Sequence, residues 1–468
     1  MQLTKNFLYF EFVFRYLNLF LSTLFSFLII RILTSRISVD TYGNYSLIYS
    51  FSTLINILIN LGIPNLATKI YLKLKSENKK SNFINSVLAI QLISFGILLL
   101  IFIIINTYFL NLNNLIYLAF IYSISSIFSF NWYYSLMRKF YIIIFKNLSL
   151  SFLTMTSYFF INDNNFIFII TFIFSLNVIV ELTVFLFYFR KNITFKSINF
   201  DFLSQTLKYL FISINIFIFV NTDIFIISLL LDNYNVGIYA FAVKIFSFFK
   251  NVFAVVILSS QPKIQKLFSI NNSSAVYFSK IVIKTITVLL AAVIPFLILN
   301  SKKIILIFTN SAVYTEANIS LIILFLALPF SILGWANNYL IQVNFNRERS
   351  ILNSTLIASF FNLTFNLIFV SPFGIVAAAL TTLIAEIIIF LLSIIDLKSL
   401  NLIKFPHSRF FILIFINFFS ILFINLLLDI DLIFSIVLHI VLFFSVNSIY
   451  IFYFYKGYIH QLKEIIYD

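Results

Sequence analysis

Residues 166–189 have the sequence FIFIITFIFSLNVIVELTVFLFYF, an apolar run in which Glu181 is the one charged side chain. An α-helix rises about 1.5 Å per residue, so a run of this length crosses the roughly 30 Å hydrocarbon core of a bilayer. The stretch therefore predicts a membrane-spanning helix.

The whole chain has a similar composition. Of its 468 residues, 62% are hydrophobic and 10% are charged, whereas soluble domains carry roughly a quarter of their residues as charges. The chain has no cysteine, and its imidazoles are limited to His407, His439 and His460. Disulfides, thiol nucleophiles and cysteine-ligated metals are therefore excluded, and we expect no metal site and no cofactor. We predict an all-α integral membrane protein.

Windows of about 20 apolar residues predict about fourteen spans. The fifth window is short and is followed by Asn162–Asn165, which predicts a tight turn. The windows are residues 9–33, 45–66, 84–105, 115–135, 147–161, 166–189, 209–231, 236–259, 281–299, 319–342, 351–371, 375–395, 410–428 and 432–454.

The basic residues predict the orientation, because Lys and Arg accumulate on cytoplasmic loops. With the N-terminus inside, most of the 31 Lys and Arg residues fall on cytoplasmic segments, and the outer segments receive Arg31, Arg36, Lys302 and Lys303. We therefore expect an even number of spans with both termini in the cytoplasm. Residues 1–6 contain one lysine and lead into an apolar run without a cleavage site, which favours a first span over a removable signal.

The net charge of +15 raises the question of nucleic acid as a partner. The basic residues lie in short loops beside the spans, without the aromatic-interleaved basic domain of a nucleic-acid-binding protein. We expect contacts with membrane lipids and none with nucleic acid. No loop exceeds about 25 residues, which leaves no room for a soluble catalytic domain. The protein is therefore predicted not to be an enzyme.

An internal repeat organises the spans. Tyr42-Gly43-Asn44-Tyr45 opens the second span and Val236-Gly237-Ile238-Tyr239 opens the eighth, with the same offset between the glycines and between the tyrosines. Each copy is placed beside a short outer loop with an acid, Asp40 or Asp232. Parallel repeats build two-lobed transporters. We predict a six-helix lobe in residues 1–195, a second in 196–400, and a terminal helix pair in 401–468.

Three stretches carry a resemblance to a known family. They are Arg31-Ile32-Leu33 with Leu61-Gly62-Ile63, Asn221-Thr222-Asp223 with Lys244-Ile245, and the set Asn362, Asn366, Pro372, Gly374, Thr381, Thr382 and Glu386. On these residues the chain resembles the polysaccharide flippases of the multidrug/oligosaccharidyl-lipid/polysaccharide exporter superfamily. Thr34-Ser35 and Ala377 depart from positions where that family often has glycine.

The resemblance implies a flippase that moves undecaprenyl-diphosphate-linked oligosaccharides across the bacterial cytoplasmic membrane by alternating access, for O-antigen, lipopolysaccharide or capsule biosynthesis. A polysaccharide polymerase and chain-length machinery are further candidate partners. One alternative is a multidrug/cation antiporter of the same superfamily. Another is a membrane-embedded polysaccharide polymerase or glycosyltransferase, which would need a larger outer loop than residues 300–318.

Ionisable groups inside spans are costly and are functional candidates. Asp223 and Lys244 each lie eight residues from the outer ends of adjacent spans, which is about 12 Å deep. They are expected to lie level. Two interpretations remain open. The two residues form a permanent structural ion pair, or an anionic substrate competes with Asp223 for Lys244.

The other charged residues in spans have weaker signals. Glu181 and Lys250 lie in the inner halves of their spans and are candidates for a lower vestibule. Glu386 is the most isolated acid and a candidate for binding H⁺ or Na⁺. Glu11 and Arg15 have the spacing of an ordinary helix pair.

These residues give two candidate groups. A diphosphate requires cations in a low-dielectric cavity, and neutral sugars require amides and hydroxyls. The candidates for diphosphate binding are Arg15, Arg31, Lys244 and Lys250, and those for ion coupling or charge pairing are Asp223, Glu181 and Glu386. The candidate sugar-binding amides are Asn215, Asn221, Asn337, Asn338, Asn362 and Asn366.

Overall fold

The computed structural model of the chain describes residues 21–107, 114–190 and 198–399. These residues form α-helices and short helical turns, without a strand. The helices are α1 (residues 21–36), α2 (Val39–Asn60), α3 (Ile63–Lys73), α4 (Glu77–Ile105), α5 (Tyr117–Phe128), α6 (Asn131–Leu136), α7 (Phe140–Tyr158), α8 (Phe166–Phe189), α9 (Leu203–Leu230), α10 (Asn233–Ile270), α11 (Asn272–Leu299), α12 (Ser301–Thr309), α13 (Asn318–Asn337) and α14 (Glu348–Ser399). Short 3₁₀ or π turns occupy Asn114–Ile116, Val313–Ala317, Asn338–Gln342 and Val343–Phe345.

The helices confirm an all-α membrane fold. Within the described part of the chain, 8 helical stretches are long and apolar enough to cross a membrane, with Val313–Phe345 taken as one. The described parts of the first twelve predicted windows fall on the described helices and on the short turns between them. Residues 9–20 of the first window, and the windows 410–428 and 432–454 of the predicted terminal pair, lie outside the described residues.

The longest helix, α14, is two antiparallel segments. Gly374 interrupts it with φ 63° and ψ −153°, a conformation that only glycine adopts at low cost. A hydrogen bond joins the two segments across this glycine. The hydroxyl of Thr381 donates to Oδ1 of Asn366 at 2.6 Å, although the two residues are 15 positions apart in the sequence. In a straight helix that separation would be about 22 Å. The chain therefore reverses at Gly374, which matches the eleventh and twelfth predicted spans.

The predicted turn after the fifth window is present. The backbone N–H of Asn162 donates to the side chain of Asn165 at 2.8 Å, and the reverse bond measures 2.9 Å. Within the turn, Oδ1 of Asp163 accepts from the backbone N–H of Ser38 at 2.9 Å. Partial burial raises the pKa of Asp163, but hydrogen bonds from Thr41 and Ser38 outweigh it and hold the pKa below its usual value. The turn between α7 and α8 thereby anchors the start of α2.

The two copies of the repeat pack against each other. A Cβ atom on Gly43 would lie 2.0 Å from the carbonyl oxygen of Asn233, and one on Gly237 would lie 2.2 Å from that of Val39. The contact is reciprocal, because Val39 and Asn233 are the first residues of α2 and α10 and each glycine follows at the same spacing. The Gly-x-Tyr repeat therefore marks the close crossing of α2 and α10.

The N-caps correct one part of the repeat. Asp232 caps α10 by accepting from the backbone N–H of Asn235 at 2.8 Å, whereas Ser38 caps α2. Asp40, which was predicted to be the loop acid matching Asp232, instead lies in the first turn of α2. The counterpart of Asp232 is thus Ser38, which like aspartate accepts a hydrogen bond from a helix N-terminus.

Candidate functional site

A cavity of about 380 Å³ lies between α10 and the helices α1, α2, α5, α7 and α8. Its volume falls within the range of roughly 300–1,000 Å³ that is common for ligand pockets. The wall is rich in phenol, hydroxyl and amide groups. Its polar lining comprises Ser22, Thr23, Ser26, Tyr42, Tyr45, Tyr49, Tyr122, Ser151, Thr154, Tyr158, Asn177, Lys244, Ser247 and Asn251.

Lys244 is the one charged residue in the described lining of this cavity. Its ammonium lies 4.7 Å from the ring centre of Tyr49, a cation–π contact. Among the described residues, no carboxylate forms an ion pair with it. Lys244, which was predicted to bind diphosphate, therefore lies at a cavity wall and has no acidic partner in the described part of the chain.

The tyrosines of α2 form a ladder along the cavity. Tyr42, Tyr45 and Tyr49 follow at spacings of three and four residues, which puts them on one helix face. The Tyr42 and Tyr45 rings stack with centres 6.1 Å apart, and those of Tyr45 and Tyr49 with centres 6.4 Å apart. Tyr158 donates to the Tyr45 hydroxyl at 3.3 Å, and the Tyr122 ring lies 6.0 Å from Tyr49. Sequence reasoning gave these aromatics no role, although their spacing was visible in it.

Asp223 lies outside this lining, in a buried network between α9, α10 and α14. Its carboxylate accepts from Asn366 Nδ2, from the Tyr239 hydroxyl and from the Thr382 hydroxyl, each at 2.6 Å. The amide of Asn366 is also 3.3 Å from Oδ1 of Asn362. The side-chain donors are all neutral, and they join both segments of α14 to α9.

The predicted ion pair between Asp223 and Lys244 is therefore wrong. The position facing Asp223 is taken by Tyr239, five residues before Lys244 on α10. Five residues correspond to a rotation of about 140° around a helix axis. The two charged residues are on adjacent helices, but Lys244 points away from Asp223 and into the cavity.

Glu386 was predicted to be the most isolated acid, and the structure corrects this as well. Its Oε1 lies 3.2 Å from Nζ of Lys250 and accepts from the Ser331 hydroxyl at 2.6 Å. Lys250 was a candidate diphosphate ligand, but it is not among the residues that line the cavity. Counting residues along each span could not show that α10 and α14 bring this lysine and this acid together.

Glu181 is part of a second buried pair. It lies 2.7 Å from Nζ of Lys146, which also donates to Asn131 at 2.7 Å. Lys146 precedes the fifth predicted window, but it lies inside α7 with a side chain that is 1% exposed. The pattern Glu-x-x-x-Phe occurs at Glu181 and again at Glu386, and this second repeat signal could have predicted a buried acid in both halves.

The remaining candidates do not meet at the cavity. Arg31 lies exposed near the end of α1 and is not in the lining, and Glu11 and Arg15 are outside the described residues. None of the six candidate sugar-binding asparagines lines the cavity, and the amides that do, Asn177 and Asn251, were missed. Within the described residues, no cluster of three or more potential metal ligands occurs.

The comparisons with known proteins agree with this fold. The sequence model of a family described as polysaccharide biosynthesis protein matches residues 14–268. A comparison with curated protein sequences finds no match. A solved structure of the lipid II flippase MurJ, in an inward closed conformation, matches with a TM-score of 0.74 and 19% identity over 96% of this chain and 99% of that one.

A second solved structure is an inward-facing multidrug resistance MATE family transporter of the MOP superfamily. It matches with a TM-score of 0.61 and 15% identity over 81% of this chain and 95% of that one. At these identities the two matches establish a shared fold.

Proposed function

The chain belongs to the polysaccharide biosynthesis protein family, and from that premise we propose that it is a lipid-linked oligosaccharide flippase. It moves undecaprenyl-diphosphate-linked repeat units from the inner to the outer leaflet of the bacterial cytoplasmic membrane, for surface polysaccharide such as O-antigen or capsule. Its role is transport without bond breaking. The flippase among the structures of shared fold supports this proposal.

The observation that carries the proposal is Lys244 in a cavity whose described lining has no acid. Charge-assisted hydrogen bonds to phosphate are stronger than neutral ones, and a low dielectric strengthens them further. The neutral hydroxyls, phenols and amides around Lys244 suit sugars. A single cation beside a neutral polar wall fits a headgroup that has its charge at one end and its sugars at the other.

The second candidate function is a multidrug or cation antiporter, because a MATE transporter shares the fold. A cavity for cationic drugs would place a carboxylate in its wall to offset the charge of the drug. The buried acids Asp223 and Glu181 are not in the cavity lining, and they contact Asn366 and Lys146 on neighbouring helices instead. The described lining therefore favours an anionic headgroup over a cation.

Transport would proceed by alternating access between the two predicted lobes, residues 1–195 and 196–400. The N-terminal ends of α2 and α10, predicted to lie on the outer side, cross at Gly43 and Gly237 with almost no gap. Such a crossing would seal the cavity from outside until the lobes rock. With the cell interior negative and both termini cytoplasmic, outward movement of the anion gains roughly 2.3 kcal/mol per charge per 100 mV.

Asp223 is the proposed coupling site for Na⁺ or H⁺. Of the three candidate acids, Glu181 and Glu386 each have a lysine as partner, whereas the described partners of Asp223 are neutral. A buried charge without a counter-charge is costly, so a bound monovalent cation or a proton would stabilise it. Oxygens of Asn362 and Thr382 lie in the same network and would complete an oxygen-rich site.

The test is deletion of the gene in its host, followed by separate assays of surface polysaccharide and of lipid-linked repeat units on each face of the membrane. We expect loss of the polymer, with complete single units trapped on the cytoplasmic side. Unpolymerised units on the outer face would indicate a polymerase. Unchanged polysaccharide together with hypersensitivity to cationic drugs would support the antiporter.

A further inference from the structure

Tyr49 is the most accessible tyrosine of the cavity wall. Its side chain is 38% exposed, whereas Tyr42 and Tyr158 are 1% and 3% exposed. The face of its ring is occupied by the ammonium of Lys244, whose Nζ lies 4.7 Å from the ring centre. A ligand can therefore stack on this face of the ring only when Lys244 moves.

Two neighbouring tyrosines restrict the movement of this ring. Tyr49 stacks on Tyr45 at an interplanar angle of 27°, and Tyr122 contacts it at 49°. Tyr45 is fixed in turn by Tyr42 and by the edge of Tyr158. A ring fixed by its neighbours loses little conformational entropy when a ligand binds to it, which favours binding.

The contact between Lys244 and Tyr49 is weaker than a contact between an ammonium and a phosphate. A cation–π contact rests on the attraction between a charge and the quadrupole of the ring. A hydrogen bond between two charged groups is about twice as strong as a neutral one and would draw the ammonium away from the ring. Binding of a diphosphate by Lys244 therefore uncovers an apolar aromatic face a few ångströms from the phosphate.

We propose that Tyr49 is a specificity-determining residue, whose ring stacks against the sugar attached directly to the diphosphate once that diphosphate has taken Lys244. This inference rests on the proposed function. The C–H face of a pyranose is apolar and fits against an aromatic ring. The ammonium of Lys244 lies beside the ring of Tyr49, just as the diphosphate lies beside its first sugar, so each group of the ligand has a partner. Phosphate and sugar are thus recognised together, and the transporter distinguishes a loaded lipid carrier from a bare one.

The test uses the full-length chain in nanodiscs and two ligands, a short polyprenyl diphosphate and the same lipid with one sugar. Dissociation constants are measured for the wild type, Tyr49→Phe and Tyr49→Leu, with Tyr141→Leu as a control at an exposed tyrosine outside the cavity lining. We expect the wild type, Tyr49→Phe and Tyr141→Leu to prefer the glycosylated lipid. In Tyr49→Leu that preference falls about tenfold, since the stacking surface is gone.

Affinity of Tyr49→Leu for the bare lipid is expected to equal or exceed that of the wild type, because Lys244 no longer has to leave a ring. If Tyr49→Leu loses affinity equally for both lipids, the proposal is overturned and Tyr49 is a purely structural residue. A wild type without any preference would also overturn it while leaving the flippase intact, whereas a wild type that binds neither lipid would contradict the flippase itself. If Tyr49→Leu fails to fold, Tyr49→Met replaces it, because methionine fills the space without an aromatic face.

Discussion

Two sides of helix α10 differ in the charge that they contact or carry. On one side Lys244 reaches the cavity wall, where the described residues offer it a ring and no acid. On the other, Tyr239 donates to Asp223, whose described partners are neutral. The molecule thus keeps a cation and an anion apart although adjacent helices carry them, and each remains able to bind a ligand of opposite charge.

The two other buried acids show the contrasting arrangement. Glu181 and Lys146, and Glu386 and Lys250, are direct ion pairs. Removing one member of a buried pair leaves an uncompensated charge, so such pairs are expected to hold the fold together and to exchange poorly with ligands. Substitutions at the separated charges should affect function first, and those at the paired charges should affect stability first.

The largest expected effect is at Lys244. Lys244→Ala removes the cation from the described cavity wall, and we expect loss of transport at normal expression with little loss of folded protein, because no described ion pair is broken. Lys263→Ala is the matched control. Lys263 is also on α10 but not in the cavity lining, and its Nζ lies 4.6 Å from the ring centre of Phe278 on α11. Complementation of the deletion strain measures both variants. Full activity of Lys244→Ala would remove this residue from the mechanism.

The next largest effect tests the paired charges. Lys146→Met leaves Glu181 buried without its counter-charge, which is expected to cost about 3–5 kcal/mol of stability. The double variant Lys146→Met/Glu181→Leu should recover most of that loss, because both charges are gone. Unfolding of the purified protein in detergent measures the difference. If the double variant is as unstable as the single one, the pair has a role beyond mutual neutralisation.

A smaller effect is expected at Asp223. Asp223→Asn keeps the shape of the side chain and one acceptor oxygen. We expect a loss of about 1–3 kcal/mol of stability, because some of the surrounding hydrogen-bond donors lose their acceptor. The informative readout is the stabilisation of the protein by added Na⁺ or by a lower pH, which bound ligands produce by mass action. The wild type should show one of the two and Asp223→Asn neither. Equal responses in both proteins would place the coupling site elsewhere.

The smallest effect is expected at the turn between α7 and α8, where Asp163 is not in the cavity lining. Hydrogen bonds to the carboxylate lower the pKa of Asp163, so its contribution is complete above the unfolded-state pKa and is lost as the pH falls through the folded-state pKa. Because the group is exposed, we expect less than about 1 kcal/mol. Asp163→Asn should therefore destabilise the protein slightly at neutral pH and not in acid. A difference that grows in acid would contradict this assignment.

Sequence reasoning succeeded where the signal lies in the order and spacing of residues along the chain. Apolar windows predicted helices of the described chain, of which 8 stretches are long and apolar enough to cross a membrane, and the Gly-x-Tyr repeat marks the crossing of α2 and α10. Counting residues predicts depths for Asp223 and Lys244, but depth contains no information about rotation around the helix axis. The predicted pair between them was therefore wrong.

Two further residues show where the sequence signal was too weak. Lys146 lies just before the fifth apolar window, so its burial inside α7 was not visible from hydropathy. Tyr49 is one of 25 tyrosines in the chain, so its residue type alone gives no signal. Only the packing of α2 against α10 shows that its ring faces Lys244.

The most direct test of the flippase is transport by the purified protein. The chain is reconstituted into vesicles with a labelled polyprenyl-diphosphate oligosaccharide, and the fraction of label accessible from outside is followed over time. The wild type and Lys263→Ala should move label between leaflets, and Lys244→Ala should not. Movement at equal rates in all three proteins, or in none of them, would contradict the assignment of this cavity to the diphosphate.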